Sequence, residues 1–155
     1  MDDPYELVYA EAVRGLSQRR EAVESLRTRA GIVLTGAAVA SSLFGSRAVG
    51  AGPLGPFGWL AVASFAGLGL ALLAVLWPRL EWRATPSPSR VIESLIEVPD
   101  PASVEVIHRD LALHMERAQR ANDYLYERLA QYFRVGVVLL SGEILAWIVD
   151  LATRA

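Results

Sequence analysis

The chain has no cysteine and no lysine. Without a thiol, disulfides, thiolate nucleophiles and cysteine-based zinc sites are excluded. Charge of one sign is not in excess either. Fifteen basic residues, all arginine, stand against 17 acidic ones for a formal charge of -2, so nothing in the balance points to nucleic acid. Phosphate loops and dinucleotide fingerprints are missing. Histidine occurs twice, at His108 and His114, and that spacing puts the two rings on different sides of a helix, unlike the i, i+4 pair that grips a metal. Asp110 and His114, one turn apart, read as a surface pair or a seam polar group rather than metal ligands. The triplet His108-Arg109-Asp110 has no glycine-rich loop or DFG to accompany it, and Ser141-Gly142-Glu143 has no histidine at its depth. No enzyme, cofactor or metal site is expected.

What the sequence has in excess is apolar residues: 53 % of 155, with a mean hydropathy of +0.31. They lie in three blocks. From Ala48 to Pro78 there are 31 residues without a charge, and the 21 from Phe57 to Trp77 match the roughly 20 that cross a hydrocarbon core. Trp59 and Trp77 lie near the ends of this span, where indole rings favour the headgroup region. Ala30 to Ser46 is a second charge-free run of 17, which Arg29 and Arg47 complete by extending their stems to the interface. Gly50, Gly52, Pro53, Gly55 and Pro56 between them cannot continue a helix, so the two spans form a hairpin. The third block, Val135 to Val149, has only 15 residues and is interrupted by Glu143. Two spans already commit the chain to the bilayer and Trp147 lies near the block's end, so it too reads as a span.

The acidic start and the late first apolar block do not fit a cleavable signal peptide. Arginines crowd the stretch before span one and the stretch between spans two and three, which predicts a multi-pass protein of the inner (plasma) membrane with a cytoplasmic N-terminus.

The non-membrane parts are amphipathic. Asp3-Pro4 and Asp100-Pro101 are helix starts. Tyr5, Tyr9, Ala12, Leu16, Arg19, Val23, Leu26 and Ala30 recur at spacings of three and four, with Arg19 alone breaking the stripe. In the second helix Val104, Ile107, Leu111, Ala118, Leu125 and Tyr132 share a face, widened by Met115, Ala121 and Leu129. Leu111, Ala118, Leu125 and Tyr132 keep a strict seven-residue interval. Between these helices TPSPS makes a loop, and a short helix with Val91, Ile92, Leu95 and Ile96 on one side can lie on the membrane or on the helical stalk, its shortness favouring the stalk.

The expected organisation is an all-α membrane protein with three transmembrane helices, two of them continuous with long cytoplasmic amphipathic helices that form a stalk. A cytoplasmic helix occupies 1–29 and a hairpin 30–78, with spans at about 30–47 and 57–77. A cytoplasmic segment follows at 79–133, with a short helix at 88–98 and a long one at 101–133. The third span covers 134–152.

Glu143 is the most informative residue, nine positions in from Arg134 and seven from Asp150, hence near mid-membrane. Ser41, Ser42 and Ser64 should lie at comparable depth and can donate to it. A carboxyl facing lipid is costly, so Glu143 should face a helix or water. It is either a protonated acid bonded between helices or subunits, or a pore-lining or proton-linked group. Small residues at four-residue spacing, Gly36 with Ala40, Ala37 with Ser41, and Ala63 with Gly67 and Ala71, allow close packing within one subunit or between copies. The heptad positions Leu16, Val23, Leu26, Leu111, Ala118, Leu125 and Tyr132 make an oligomer seam plausible, since heptads are often completed by other copies.

The layout resembles small multi-span bacterial defence effectors, the SLATT group and the Pycsar transmembrane effectors. The residues that carry the resemblance are Ser25-Leu26-Arg27-Thr28-Arg29-Ala30 at the start of span one, the Gly/Pro hairpin, and the helix from Pro101 into the membrane. It covers most of the chain in outline, and the Asp-x-Lys-Ala junction of the Pycsar type is absent. The resemblance implies an oligomeric inner-membrane effector that disrupts or permeabilises the membrane on a cytoplasmic signal, such as a nucleotide or a partner protein, in anti-phage defence. The other reading is a non-enzymatic membrane-anchored scaffold or accessory subunit that binds a partner through its cytoplasmic helices.

Overall fold

The computed structural model of the chain describes residues 4–50, 52–77 and 102–154. The helix expected at 88–98 and the TPSPS loop lie outside them. The described residues form α1 (Pro4–Gly50), α2 (Pro56–Leu76) and α3 (Val104–Ala152), with no strand among them. Each helix contains a stretch long and apolar enough to cross a membrane.

Nothing in α1 stops it. Its four interior glycines are isolated, and no proline follows Pro4, so 47 residues stay helical for roughly 70 Å at 1.5 Å each. It runs on to Gly50, past the expected end of span one. The reversal that follows needs glycine, because Gly52 has φ +121°, a backbone conformation that other residues rarely adopt. Pro56 then opens α2, where its missing N–H costs nothing. α3 begins at Val104 rather than at Pro101. The Ser103 hydroxyl accepts from the Val106 N–H at 3.4 Å and its carbonyl from the Ile107 N–H at 3.1 Å, making Ser103 the cap. Asp100 and Pro101 lie outside the described residues.

The chain divides into two compact units, one of residues 1–23 and 79–126, the other of 24–78 and 127–155. The second unit holds the segments expected to span, from 30 and from 134, and also takes in the buried Leu26 and Leu129 before them.

In the first unit α1 and α3 run parallel. Tyr9 stacks on His108 with centroids 5.6 Å apart, and Arg19 Nε meets Asp123 Oδ1 at 2.9 Å with its guanidinium over the Tyr126 ring. Arg19, the one break in the apolar stripe, is thus a cross-helix ion pair. Ala112, Met115, Ala118 and Asn122 are buried, Leu16, Leu111 and Leu125 half-buried, and Val104 and Ala121 exposed. Asp110 and His114 are exposed and form no hydrogen bond or ion pair with each other.

In the second unit α2 runs antiparallel to the C-terminal part of α3. Six of the buried side chains are alanines, Ala30, Ala37, Ala48, Ala61, Ala71 and Ala146, beside the larger Leu26, Leu68, Leu72, Val75, Leu129 and Trp147. Small side chains let backbones approach where lipid supplies no hydrophobic drive between helices. The closest approach is at Gly136, where a Cβ would sit 2.8 Å from Leu72 Cδ2; at Gly67 it would sit 3.2 Å from Leu139. The outer faces carry Ile32, Val39, Leu43, Leu60, Leu70, Val138 and Leu145, all exposed, far more apolar surface than a water-soluble unit presents. Hydroxyls on these faces turn back on their own helix, Thr35 to the Gly31 carbonyl and Ser141 to the Val137 carbonyl, which satisfies them without a partner outside the helix.

Candidate functional site

α3 carries one line of residues at strict seven-residue spacing: His108, Met115, Asn122, Leu129, Gly136, Glu143 and Asp150. From Met115 onward every member is buried. This line is the inward one, and the expected seam of Leu111, Ala118, Leu125 and Tyr132 flanks it, with Ala118 buried and the others half-buried. On α1 Val23 and Leu26 face inward and Leu16 is half-buried. The difference has a simple origin. A search for apolar repeats passes over a line whose members include a histidine, an asparagine, a glycine and two carboxylic acids. Among the described residues, the buried polar side chains, Asn122, Glu143 and Asp150, all lie on it.

Glu143 has no accessible surface. Ser41 Oγ of α1 donates to its Oε1, whereas Oε2 has no partner. Of the serines expected near it, Ser64 is half-buried and makes no bond to it, and Ser42 is exposed. One turn on, Trp147 is 3 % exposed, in a cluster with Ala48, Ala61 and Ala146. Its ring lies beside Gly45, where an added Cβ would stand at an ordinary van der Waals distance of 3.7 Å from Cζ2, and its Nε1 has no partner. Trp147 is therefore a core residue and not the interfacial anchor its position near the end of the span suggests. Among the described tryptophans, Trp59 and Trp77 are the exposed ones.

One heptad beyond Glu143, Asp150 joins three helix ends. Its Oδ1 accepts from the Gly58 N–H at 2.9 Å. That N–H is one of the unpaired donors of the first turn of α2, whose own cap residue, Gly55, has no side chain to offer. Asp150 thus caps α2 from α3, placing a negative charge at the positive end of its dipole. Arg154 pairs with Asp150 at 2.9 Å and donates through its other terminal nitrogen to the Ala48 carbonyl at 3.2 Å, near the C-terminal end of α1. Cβ atoms at Gly55 and Gly58 would stand 2.9 and 3.1 Å from Asp150 oxygens, so glycine admits the carboxylate. Asp150, Arg154 and Gly136 are not candidates by motif. The only signals for them are the heptad step from Glu143, the i, i+4 acid–base pair, and a helix start without a capping side chain.

The small-residue sets divide. Ala37 is fully buried and Ser41 and Ala40 partly so, but Gly36 faces outward with nothing within 4 Å of a Cβ. Gly67 and Ala71 face inward and Ala63 outward, because at this crossing α2 turns toward α3 the face that carries Leu68 and Leu72. Among the described residues no group of three or more acidic or histidine side chains is placed to hold a metal ion. The site can accept a hydrogen bond or a proton at Glu143 Oε2. It assembles no nucleophile with a base.

These features define, among the described residues, a helical chain with three membrane-length helices and a buried carboxyl oxygen, Glu143 Oε2, with neither a hydrogen bond nor an ion pair. No protein-family model matches the sequence, and comparison with curated proteins and with solved structures found no match.

Proposed function

We propose that the chain is an oligomeric effector of the inner (plasma) membrane, N-terminus cytoplasmic, that permeabilises the bilayer on receiving a cytoplasmic signal, in the manner of anti-phage defence effectors. The observation that carries this reading is Glu143, fully buried with one oxygen bonded to Ser41 of another helix and the other unmet. A simple anchor has no use for such a group, because an ionisable side chain in a span is expensive and usually marks an ion or proton path. Asp150 and Arg154 differ in that they satisfy each other and two helix ends.

In the described arrangement Glu143 is latched inside one subunit. Lining a pore requires the Ser41–Glu143 contact to part, and Ser41 and Glu143 are the residues on which leak should depend. Expression of the wild type is expected to depolarise cells, read with a potential-sensitive dye. Glu143→Gln, inserted at the same level, is expected not to. Unchanged potential with abundant inserted wild type under every activating condition removes this reading, and co-purification of a partner protein with full tolerance of Glu143→Gln supports the scaffold instead.

A further inference from the structure

We propose that a water molecule is bound between Glu143 and Trp147 in the seam of α1 and α3, and that it connects Glu143 to the end of the bundle where Asp150 lies and to that end alone. The inference deepens the reading of Glu143 given above and rests on it for what the water serves. Among the described residues, two side chains more than nine-tenths buried keep a polar atom with neither a hydrogen bond nor an ion pair. They are Glu143, 0 % exposed, at Oε2, and Trp147, 3 % exposed, at Nε1. One atom accepts and the other donates, and the two residues are neighbours one turn apart on α3. Buried water is the common way in which such groups are met.

Both side chains turn to α1. Ser41 bonds to Glu143, and four residues on Gly45 lies beside Trp147, so the two contacts are successive rungs between the same helices. The indole presents Cζ2 to Gly45, and Cζ2 is bonded to the ring carbon that carries Nε1, so the nitrogen edge faces the seam. A Cβ added at Gly45 would meet only Cζ2 at 3.7 Å and Cη2 at 3.8 Å, ordinary contacts, which leaves room there of about a methyl group, close to the size of a water. One turn of α3 rises about 5.4 Å, near the span of two hydrogen bonds through one water. The N–H disfavours a cation and the carboxyl an anion, whereas water accepts from the one and donates to the other. The neighbours on either side give the site its direction. Three residues past Trp147 stands Asp150, paired with Arg154, whose side chain is 17 % exposed and so reaches the surface. The other way along the inner line come Gly136, with the fully buried Leu72 against it, and Leu129. The next polar member on that side is Asn122, three heptads from Glu143.

The test is nuclear magnetic resonance of the full, isotope-labelled chain in lipid nanodiscs. The Trp147 indole signal is identified among those of the four tryptophans by its loss in Trp147→Phe. A cross-peak between water and the Trp147 Nε1–H is expected, with none at the backbone N–H of Gly136. Glu143→Leu removes the acceptor at similar volume and should weaken the cross-peak several-fold, while Glu143→Gln still offers an oxygen and should keep it. Gly45→Val fills the seam from α1 and should weaken it as Glu143→Leu does, which keeps the test open if one of the two variants does not fold. A wild-type spectrum without the cross-peak, or one that Glu143→Leu and Gly45→Val leave unchanged, overturns the water site. A cross-peak of equal strength at Gly136 overturns its one-sidedness. Water at Trp147 in a chain that never causes leak leaves this site standing and removes the effector reading. Leak by a chain with no water at Trp147 removes the site alone.

Discussion

A carboxyl inside an apolar helix bundle must find donors or remain a standing cost, and the two on the inner line of α3 meet that requirement differently. Asp150 is satisfied by the Gly58 N–H and by Arg154. Asp150→Ala removes both and leaves the largely buried Arg154 without its carboxylate, a loss on the order of 3–5 kcal/mol for a broken buried pair. Asp150→Asn keeps an acceptor for Gly58 and should lose clearly less. Thermal unfolding in detergent checks the order, and equal melting of the two variants contradicts the capping role. Glu143 is met on one oxygen only, so Ser41→Ala, which strips that donor, should cost about 1–3 kcal/mol, while Ser64→Ala should change little. Counting residues from Arg134 and Asp150 predicts Glu143 near mid-span with Ser41, Ser42 and Ser64 at its depth, and of the three serines it is Ser41 that bonds to it. The capping by Asp150 was hidden, because it depends on the hairpin reversal meeting the last turns of α3, and no local pattern encodes that meeting.

At the scale of elements, three long helices were legible because apolar runs, a Gly/Pro break and uninterrupted helix formers leave few alternatives. The facing of each helix was less so. Periodicity of apolar residues picked Leu111, Ala118, Leu125 and Tyr132, while the inward line runs through Met115, Asn122, Leu129, Gly136, Glu143 and Asp150. Glycine is equally ambiguous in sequence: Gly36 faces outward and Gly136 lies against Leu72. This contrast is measurable. Gly136→Val forces the buried Leu72 to move and should destabilise by roughly 1–3 kcal/mol, as overpacking does. Gly36→Ala meets nothing and should be neutral or stabilising by up to about 1 kcal/mol. Detergent melting curves of the two variants decide it, and similar losses at both positions contradict the packing described for α2 and α3.

For the whole molecule, the 53 % apolar content is explained by the second unit, where the outer faces of the three helices carry exposed apolar side chains, a surface that suits lipid. Arginine placement predicts which side each end occupies. With no native thiol to interfere, Leu7→Cys and Pro53→Cys can be labelled in intact cells by a membrane-impermeant maleimide. Pro53→Cys is expected to react and Leu7→Cys only after the membrane is opened. The reverse result inverts the orientation. The central claim is that this bundle permeabilises a membrane through its buried carboxyl, and it is tested most directly by reconstituting purified wild type and Glu143→Gln at equal density in liposomes loaded with a self-quenched dye. The account predicts dye release by the wild type and retention by Glu143→Gln. Equal release from both, or retention by both under every activating condition, would contradict it.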